Sequence, residues 1–139
     1  VGKSQLLVTT LRKLAEEYAA KRVTFMFLHI GDLVSAMKGA MSRKTRDADS
    51  PEDILGKAKR VDVLAIDEVS PLSSQWQEGV LEELLTLRYQ WRLTTIGSTN
   101  LTSEEMSSIA SGEAGDRISS RIAEWMPPID IGGPDLRLT

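Results

Sequence analysis

The sequence predicts an α/β fold, a parallel sheet with helices on both of its faces. Three observations carry this. Apolar runs at residues 23–28, 61–66 and 93–97 have the length of strands, and the stretches between them show helical periodicity or helix-capping residues. The run at 23–28 is rich in β-branched and aromatic residues without polar alternation, as a strand buried on both faces is. Strands that alternate with helices require right-handed crossovers, and these place neighbouring strands in parallel.

The elements follow in order. Leu6, Leu7, Leu11, Leu14, Ala15 and Tyr18 recur at helical spacing, so residues 5–22 read as an amphipathic helix leading into the first strand at 23–28. Gly31-Asp32 breaks the chain. Leu33, Val34, Met37 and Met41 then give a second helix with Asp32 as its N-cap, and residues 42–50 read as a polar loop. Ser50-Pro51-Glu52-Asp53 is a helix start: a capping serine, proline at the first helical position and acids in the first turn. That short helix ends near Lys59, and residues 61–66 form the second strand, ending in Asp67-Glu68. Ser74 with Gln77 makes a capping box for a long helix whose inner face carries Trp76, Val80, Leu81, Leu84, Leu85 and Trp91. The third strand, 93–97, runs into Ser98-Thr99-Asn100, and Thr102 with Glu105 caps a short helix. Gly115 and Asp116 precede a helix on which Ile118, Ile122 and Trp125 share a face; Pro127-Pro128 ends it, and 129–131 read as an edge strand.

Composition narrows the function class. The 139 residues are 41% hydrophobic and 27% charged, which suits one globular domain and excludes a disordered or collagen-like chain. Lys plus Arg number 17 against 20 acids, a net charge of −3, so affinity for nucleic acid through bulk positive charge is excluded while a local basic groove is not. Cysteine is absent, which removes disulfides, thiolate metal sites and a cysteine nucleophile. The longest apolar run is too short to span a bilayer and no amino-terminal signal pattern is visible, so the expectation is a soluble, cytoplasmic protein.

Four groups of residues could do chemistry. Gly2-Lys3-Ser4 is the closing half of the phosphate-binding pattern G-x-x-x-x-G-K-[ST]; its first glycine and the strand before it are not in the sequence, so the chain is expected to start inside the motif. In that motif backbone N–H groups and the helix N-terminus attract phosphate, the lysine reaches the terminal phosphates and the hydroxyl ligates Mg²⁺. The bare tripeptide also occurs by chance in surface loops. Asp67-Glu68, straight after an apolar strand, falls at the carboxyl edge of the sheet, where Asp67 could hold Mg²⁺ and Glu68 could polarise an attacking water. Asn100 emerges at the same edge and could orient that water, although asparagine there also serves as a turn or cap.

Arg117 and Arg121 are one helical turn apart and share a face. Spacing alone favours a solvated basic face paired with Asp116 or Glu124 over a pair presented to a neighbouring subunit's nucleotide. Lys38, Arg43, Lys44 and Arg46 surround the polar loop and could meet phosphates of single-stranded nucleic acid, but no aromatic lies among them to stack bases. His29, the one histidine, reads as a structural residue.

Taken in order, Gly2-Lys3-Ser4, Leu64-Ala65-Ile66-Asp67-Glu68, Ser98-Thr99-Asn100 and Ser120-Arg121-Ile122 resemble the Walker A, Walker B, sensor 1 and arginine-finger elements of AAA+ ATPases. Gly31-Asp32-Leu33-Val34-Ser35-Ala36-Met37, Leu87-Arg88-Tyr89 and Asp116-Arg117-Ile118-Ser119-Ser120-Arg121-Ile122 resemble the DnaC/DnaI/IstB-type members in particular, and so does the ending Gly133-Pro134-Asp135-Leu136-Arg137. The resemblance covers nearly the whole chain.

It implies a P-loop three-layer sandwich with parallel strands in the order 5-1-4-3-2, strand one being absent from this sequence, and no lid domain. Residues 1–139 are then a partial AAA+ ATPase domain, expected to bind ATP poorly and to be marginally stable in isolation. By matching position, Gly2, Lys3, Ser4 and Asp67 would bind ATP, with Ser4 and Asp67 serving Mg²⁺. Glu68 would be the catalytic base, Asn100 sensor 1, and Arg121 the finger supplied in trans, with Arg117 its one-turn neighbour. The implied function is an ATP-hydrolysing helicase loader of DNA replication that binds single-stranded DNA as a homo-oligomer and works with a replicative helicase. The helical insertion at roughly 32–59 would line the DNA channel. The alternative is an IstB-type helper with a transposase as its partner. A P-loop kinase would need an acceptor lid for which the sequence has no segment, and intact Glu68 speaks against a non-catalytic interaction domain.

Overall fold

The structure, a computed structural model, describes residues 2–33, 35, 51–72, 74–102 and 104–132. Helix α1 spans Lys3–Glu17 and passes through a 3-10 turn at Ala19–Lys21 into strand β1, Phe25–His29. Residues 30–33 are helical. Helix α2 is Pro51–Arg60, strand β2 Val63–Val69, helix α3 Gln75–Gln90 and strand β3 Thr94–Thr99. A 3-10 turn at Glu105–Ser108 precedes helix α4, Gly112–Trp125.

Among the described residues the sheet has three parallel strands in the order β1-β2-β3, the 4-3-2 portion of the expected order. Phe25 pairs with Val63 and Val63 with Thr94, so the strands start level and their carboxyl ends reach one edge together. Leu28, Leu64 and Ile66 point to one face, where Leu55 and Ala58 of α2, Leu81, Leu84 and Leu85 of α3 and Ile118 of α4 close the core. By the period-two alternation Ala65 and Asp67 lie on the other face, and α1 packs there, mainly over β2 and β3.

The capping signals read from the sequence are present. Ser74 Oγ accepts from Gln77 N at 3.2 Å, and Thr102 and Glu105 exchange two bonds, Thr102 N to Glu105 Oε2 at 2.8 Å and Glu105 N to Thr102 Oγ1 at 3.2 Å.

Several expectations are corrected. β1 is an edge strand, not one buried on both faces: Leu28 is buried, but Phe27, on the α1 side, is 41% exposed because α1 lies chiefly over the other two strands. Trp76 of α3 and Trp91, which follows its last turn, are exposed, Trp91 at 63%, and Arg88, which the inner-face pattern did not include, is buried instead. Asp32 lies within the helical turn that starts at residue 30 and is not its N-cap. Gly115 and Asp116 are inside α4, not before it. Among the described residues, 129–131 pair with no strand; Ile129 is 85% exposed, and β3 ends the described sheet on that side. The basic loop of Lys38, Arg43, Lys44 and Arg46, and the ending at 133–137, lie outside the described residues.

Candidate functional site

The site is built where α1 begins. Gly2 takes a left-handed conformation, φ 77° and ψ 9°, which an L side chain rarely adopts, and this turns the chain into α1. Its carbonyl accepts from Leu6 N at 2.9 Å, and no side chain caps the helix. The N–H groups of the first turn therefore have no intrahelical partner and face outward with the positive end of the helix dipole. Lys3 is half-buried, and no ion pair or hydrogen bond engages its amine among the described residues.

The helix start meets β2 through one bond. Ser4 Oγ donates to Asp67 Oδ1 at 2.8 Å, joining residues 63 positions apart in sequence. Asp67 is buried at the carboxyl end of β2 and accepts a second hydroxyl, Ser98 Oγ of β3, at 2.6 Å on the same oxygen. The parallel register of the strands brings these groups together, because β2 and β3 end level and α1 crosses above them.

Glu68 departs from the strand. The ladder between β2 and β3 shifts between Ile66 and Val69, and Glu68 sits in the left-handed region at φ 54°. A non-glycine residue there is strained by about 1–3 kcal/mol and persists only where its surroundings hold it. Glu68 N donates to Ser98 Oγ at 3.0 Å, and Thr99 Oγ1 donates to Val69 O at 2.6 Å, so two hydroxyls of β3 stand in for the missing ladder bonds. The pair Asp67-Glu68 is thus a bulge within the strand, where the sequence pattern placed it after the strand's end.

The Glu68 carboxylate rests on His29 at the end of β1, with Oε2 2.9 Å from Nε2. His29 Nδ1 accepts from Asp32 N at 3.4 Å, so a neutral ring protonated on Nε2 satisfies both neighbours. His29 has a structural partner, as the sequence suggested, but that partner is the candidate base. The signal was its place at the end of a strand, level with Asp67 in the sheet register.

Asn100 directly follows β3 and is exposed, and its side chain makes no hydrogen bond among the described residues. Arg117 and Arg121 lie on α4, away from this group. Arg117 forks onto Glu82 of α3, Nε to Oε1 at 2.5 Å and Nη2 to Oε2 at 3.4 Å, and also reaches Glu113 at 3.4 Å. Its partners are these two acids and not Asp116 or Glu124, because α4 packs on α3. The bond to Arg117 holds the Glu82 carboxyl below its usual range, with the charges of Arg117 and Arg121 adding to it, and the same bond raises Arg117. Arg121 is half-buried and forms no ion pair among the described residues.

An amine, a helix N-terminus, a hydroxyl and a carboxylate in one group suit an anion that carries a hard cation. Ser4 Oγ and Asp67 Oδ1 are 2.8 Å apart, close to the roughly 2.9 Å between adjacent oxygens around octahedral Mg²⁺. Among the described residues no cluster of three or more His, Cys, Asp or Glu side chains could hold a metal alone. A cation here would complete its shell with phosphate and water.

No protein-family model matches the sequence, and no curated protein does. Solved structures do. DnaI superposes with a TM-score of 0.72 at 24% identity, over 96% of this chain and 65% of that one. The DnaC helicase loader gives 0.67 at 24% identity, over 90% of this chain and 69% of that one. The fold is the one that DnaI and the DnaC helicase loader share. Replication initiator DnaA bound to AMPPCP and single-stranded DNA follows at 0.60 and 16% identity, over 85% of this chain and 34% of that one. At these identities the likeness is one of fold, and the chain spans about two-thirds of DnaI. Among the described residues no lid accompanies this fold, and no helix is long and apolar enough to cross a membrane.

Proposed function

We propose that residues 1–139 belong to one AAA+ ATPase domain, that of a DnaC-like helicase loader that binds and hydrolyses ATP during DNA replication. The observation that carries this reading is the Ser4–Asp67 hydrogen bond, which joins the glycine-lysine-serine turn to the acidic strand end inside an AAA+ fold. Gly2 and the first N–H groups of α1 cradle phosphate, and Lys3 neutralises the terminal phosphates. Ser4 and Asp67 would hold Mg²⁺, which would supply neutralisation of phosphate charge. Glu68 accepts a proton from the attacking water, and Asn100 orients that water. Arg121, without an ion-pair partner among the described residues, reaches the γ-phosphate of a neighbouring copy, with Arg117 one turn away as the second cation.

The partners follow from the likeness. One similar structure is named a helicase loader, and another holds AMPPCP and single-stranded DNA. We assign this chain a replicative helicase as partner, a homo-oligomeric assembly on single-stranded DNA and a cytoplasmic place of action. The test uses the full-length protein with Mg²⁺-ATP. Lys3→Ala should abolish nucleotide binding, whereas Arg121→Ala should leave binding within a few-fold and lower turnover roughly 10³-fold or more. Equal loss of binding and turnover in Arg121→Ala would refute the trans role.

A further inference from the structure

We propose that Ser98 is a positioning residue for both carboxylates of the site, setting the side chain of Asp67 and the backbone of Glu68 with a single hydroxyl. The inference rests on the ATP-hydrolysis reading above and deepens it.

Ser98 is buried near the end of β3, where an unpaired hydroxyl would be unfavourable. A serine hydroxyl has one proton to give. Here it goes to Asp67 Oδ1 at 2.6 Å, while a lone pair of the same oxygen accepts Glu68 N at 3.0 Å. The first bond holds the Asp67 carboxylate on the α1 side, where its Oδ1 also receives Ser4 Oγ. The second replaces the ladder bond that β3 cannot supply at the bulge, and so keeps Glu68 at φ 54°.

That backbone setting decides where the two acids point. In a regular strand neighbouring side chains take opposite faces of the sheet, and Glu68 would fall on the core face in step with Ile66. The left-handed residue rotates the carboxylate out to the sheet edge instead, where it is largely exposed and within reach of His29. Asp67 stays buried while Glu68 is exposed to solvent. Ser98 touches neither nucleotide nor water in this role. It acts through the two acids.

The experiment compares Ser98→Ala with Ser98→Thr, which keeps the hydroxyl, in the full-length protein. Steady-state hydrolysis, thermal melting and amide exchange at Glu68 are read for each. Misplacing a catalytic group by about 1 Å lowers rate roughly 100-fold. Ser98→Ala should therefore lose about 10- to 100-fold in kcat with KM within threefold, expose the Glu68 amide to exchange, and still melt cooperatively. Ser98→Thr should restore kcat and protection. Unchanged kcat in Ser98→Ala overturns the proposal, and so does a loss of rate accompanied by general unfolding that Thr does not rescue. Wild-type protein without ATPase activity would refute the hydrolysis reading and this role with it. Glu68 amide protection would still report, separately, whether the serine clamp exists.

Discussion

Arg88 is fully buried, and among the described residues no carboxylate is bonded to it. Its guanidinium gives Thr95 Oγ1, Ala58 O, Val61 O, Asp62 O and Thr94 O a donor each, at 2.8, 2.9, 2.7, 3.5 and 2.8 Å. These acceptors end α2 and open β2 and β3, so one side chain pins three chain segments at the sheet edge opposite the candidate site. Burial lowers its pKa to about 10, while the charge of Asp62 opposes that shift, and it remains a cation at neutral pH. Arg88→Met should destabilise the fold by about 3–5 kcal/mol, because it strands several buried carbonyls, and urea unfolding would measure it. His29→Ala is the contrast: its bond to Glu68 is solvent-accessible on both sides, so unfolding free energy should change by less than about 1 kcal/mol. Glu68, Ser98 and Arg88 each owe their state to neighbours 27 or more positions away, or across a strand, and so the local pattern hid them. The capping pairs Ser74/Gln77 and Thr102/Glu105 were legible because both partners lie within one turn.

At the scale of elements, α4 is seated by α3 and by the turn before it. Glu78 of α3 accepts Ser111 N at 2.9 Å and so caps α4 in place of Ser111 itself, while Glu82 holds Arg117 one turn on. Gly115 lies where a Cβ would be 2.3 Å from Ala110 O and 2.7 Å from Ser107 O, both backbone atoms that cannot swing aside. Gly115→Ala should therefore push α4 off its seat and lower stability by about 1–3 kcal/mol or more, seen as a shifted urea midpoint. Because α4 carries Arg121, the proposed trans role of that residue further predicts a lower ATP turnover for the same variant. The helical periods of α1, α3 and α4 were readable from sequence. The inward face of α3 was not fully so: a 3.6-residue pattern assigns Trp91 inward, yet at the helix end the neighbouring elements leave that position open.

For the whole molecule two predictions follow from charge and assembly. Asp62 accepts Thr24 N and Thr24 Oγ1 at 2.8 and 2.9 Å, and these bonds, with the Arg88 charge, hold its carboxyl below the usual range; Arg117 does the same to Glu82. Both groups have folded pKa values under their unfolded ones. The stability they contribute is therefore complete above about pH 4–5 and is lost as pH falls through the folded values. Urea midpoints should drop below about pH 4, and Asp62→Asn with Glu82→Gln should flatten that dependence. On the proposed reading of a homo-oligomer in which Arg121 serves in trans, Lys3→Ala leaves the proposed finger intact and Arg121→Ala leaves the proposed nucleotide site intact. Mixing the two inactive variants should restore partial ATPase activity if Arg121 serves a neighbour, and none if it serves its own chain.

Local sequence determined where the strands run, which helices are capped and which polar residues leave the strand ends, because each of these depends on residues a few positions apart. Tertiary structure alone decided that Glu68 is a bulge residue held from the next strand, that an arginine fills a core position, that β1 has one covered face, and that Arg117 is paired with Glu82 and Glu113. Each of these outcomes is set by what lies across the sheet or on the adjoining helix, and periodicity along one segment carries no information about its neighbours.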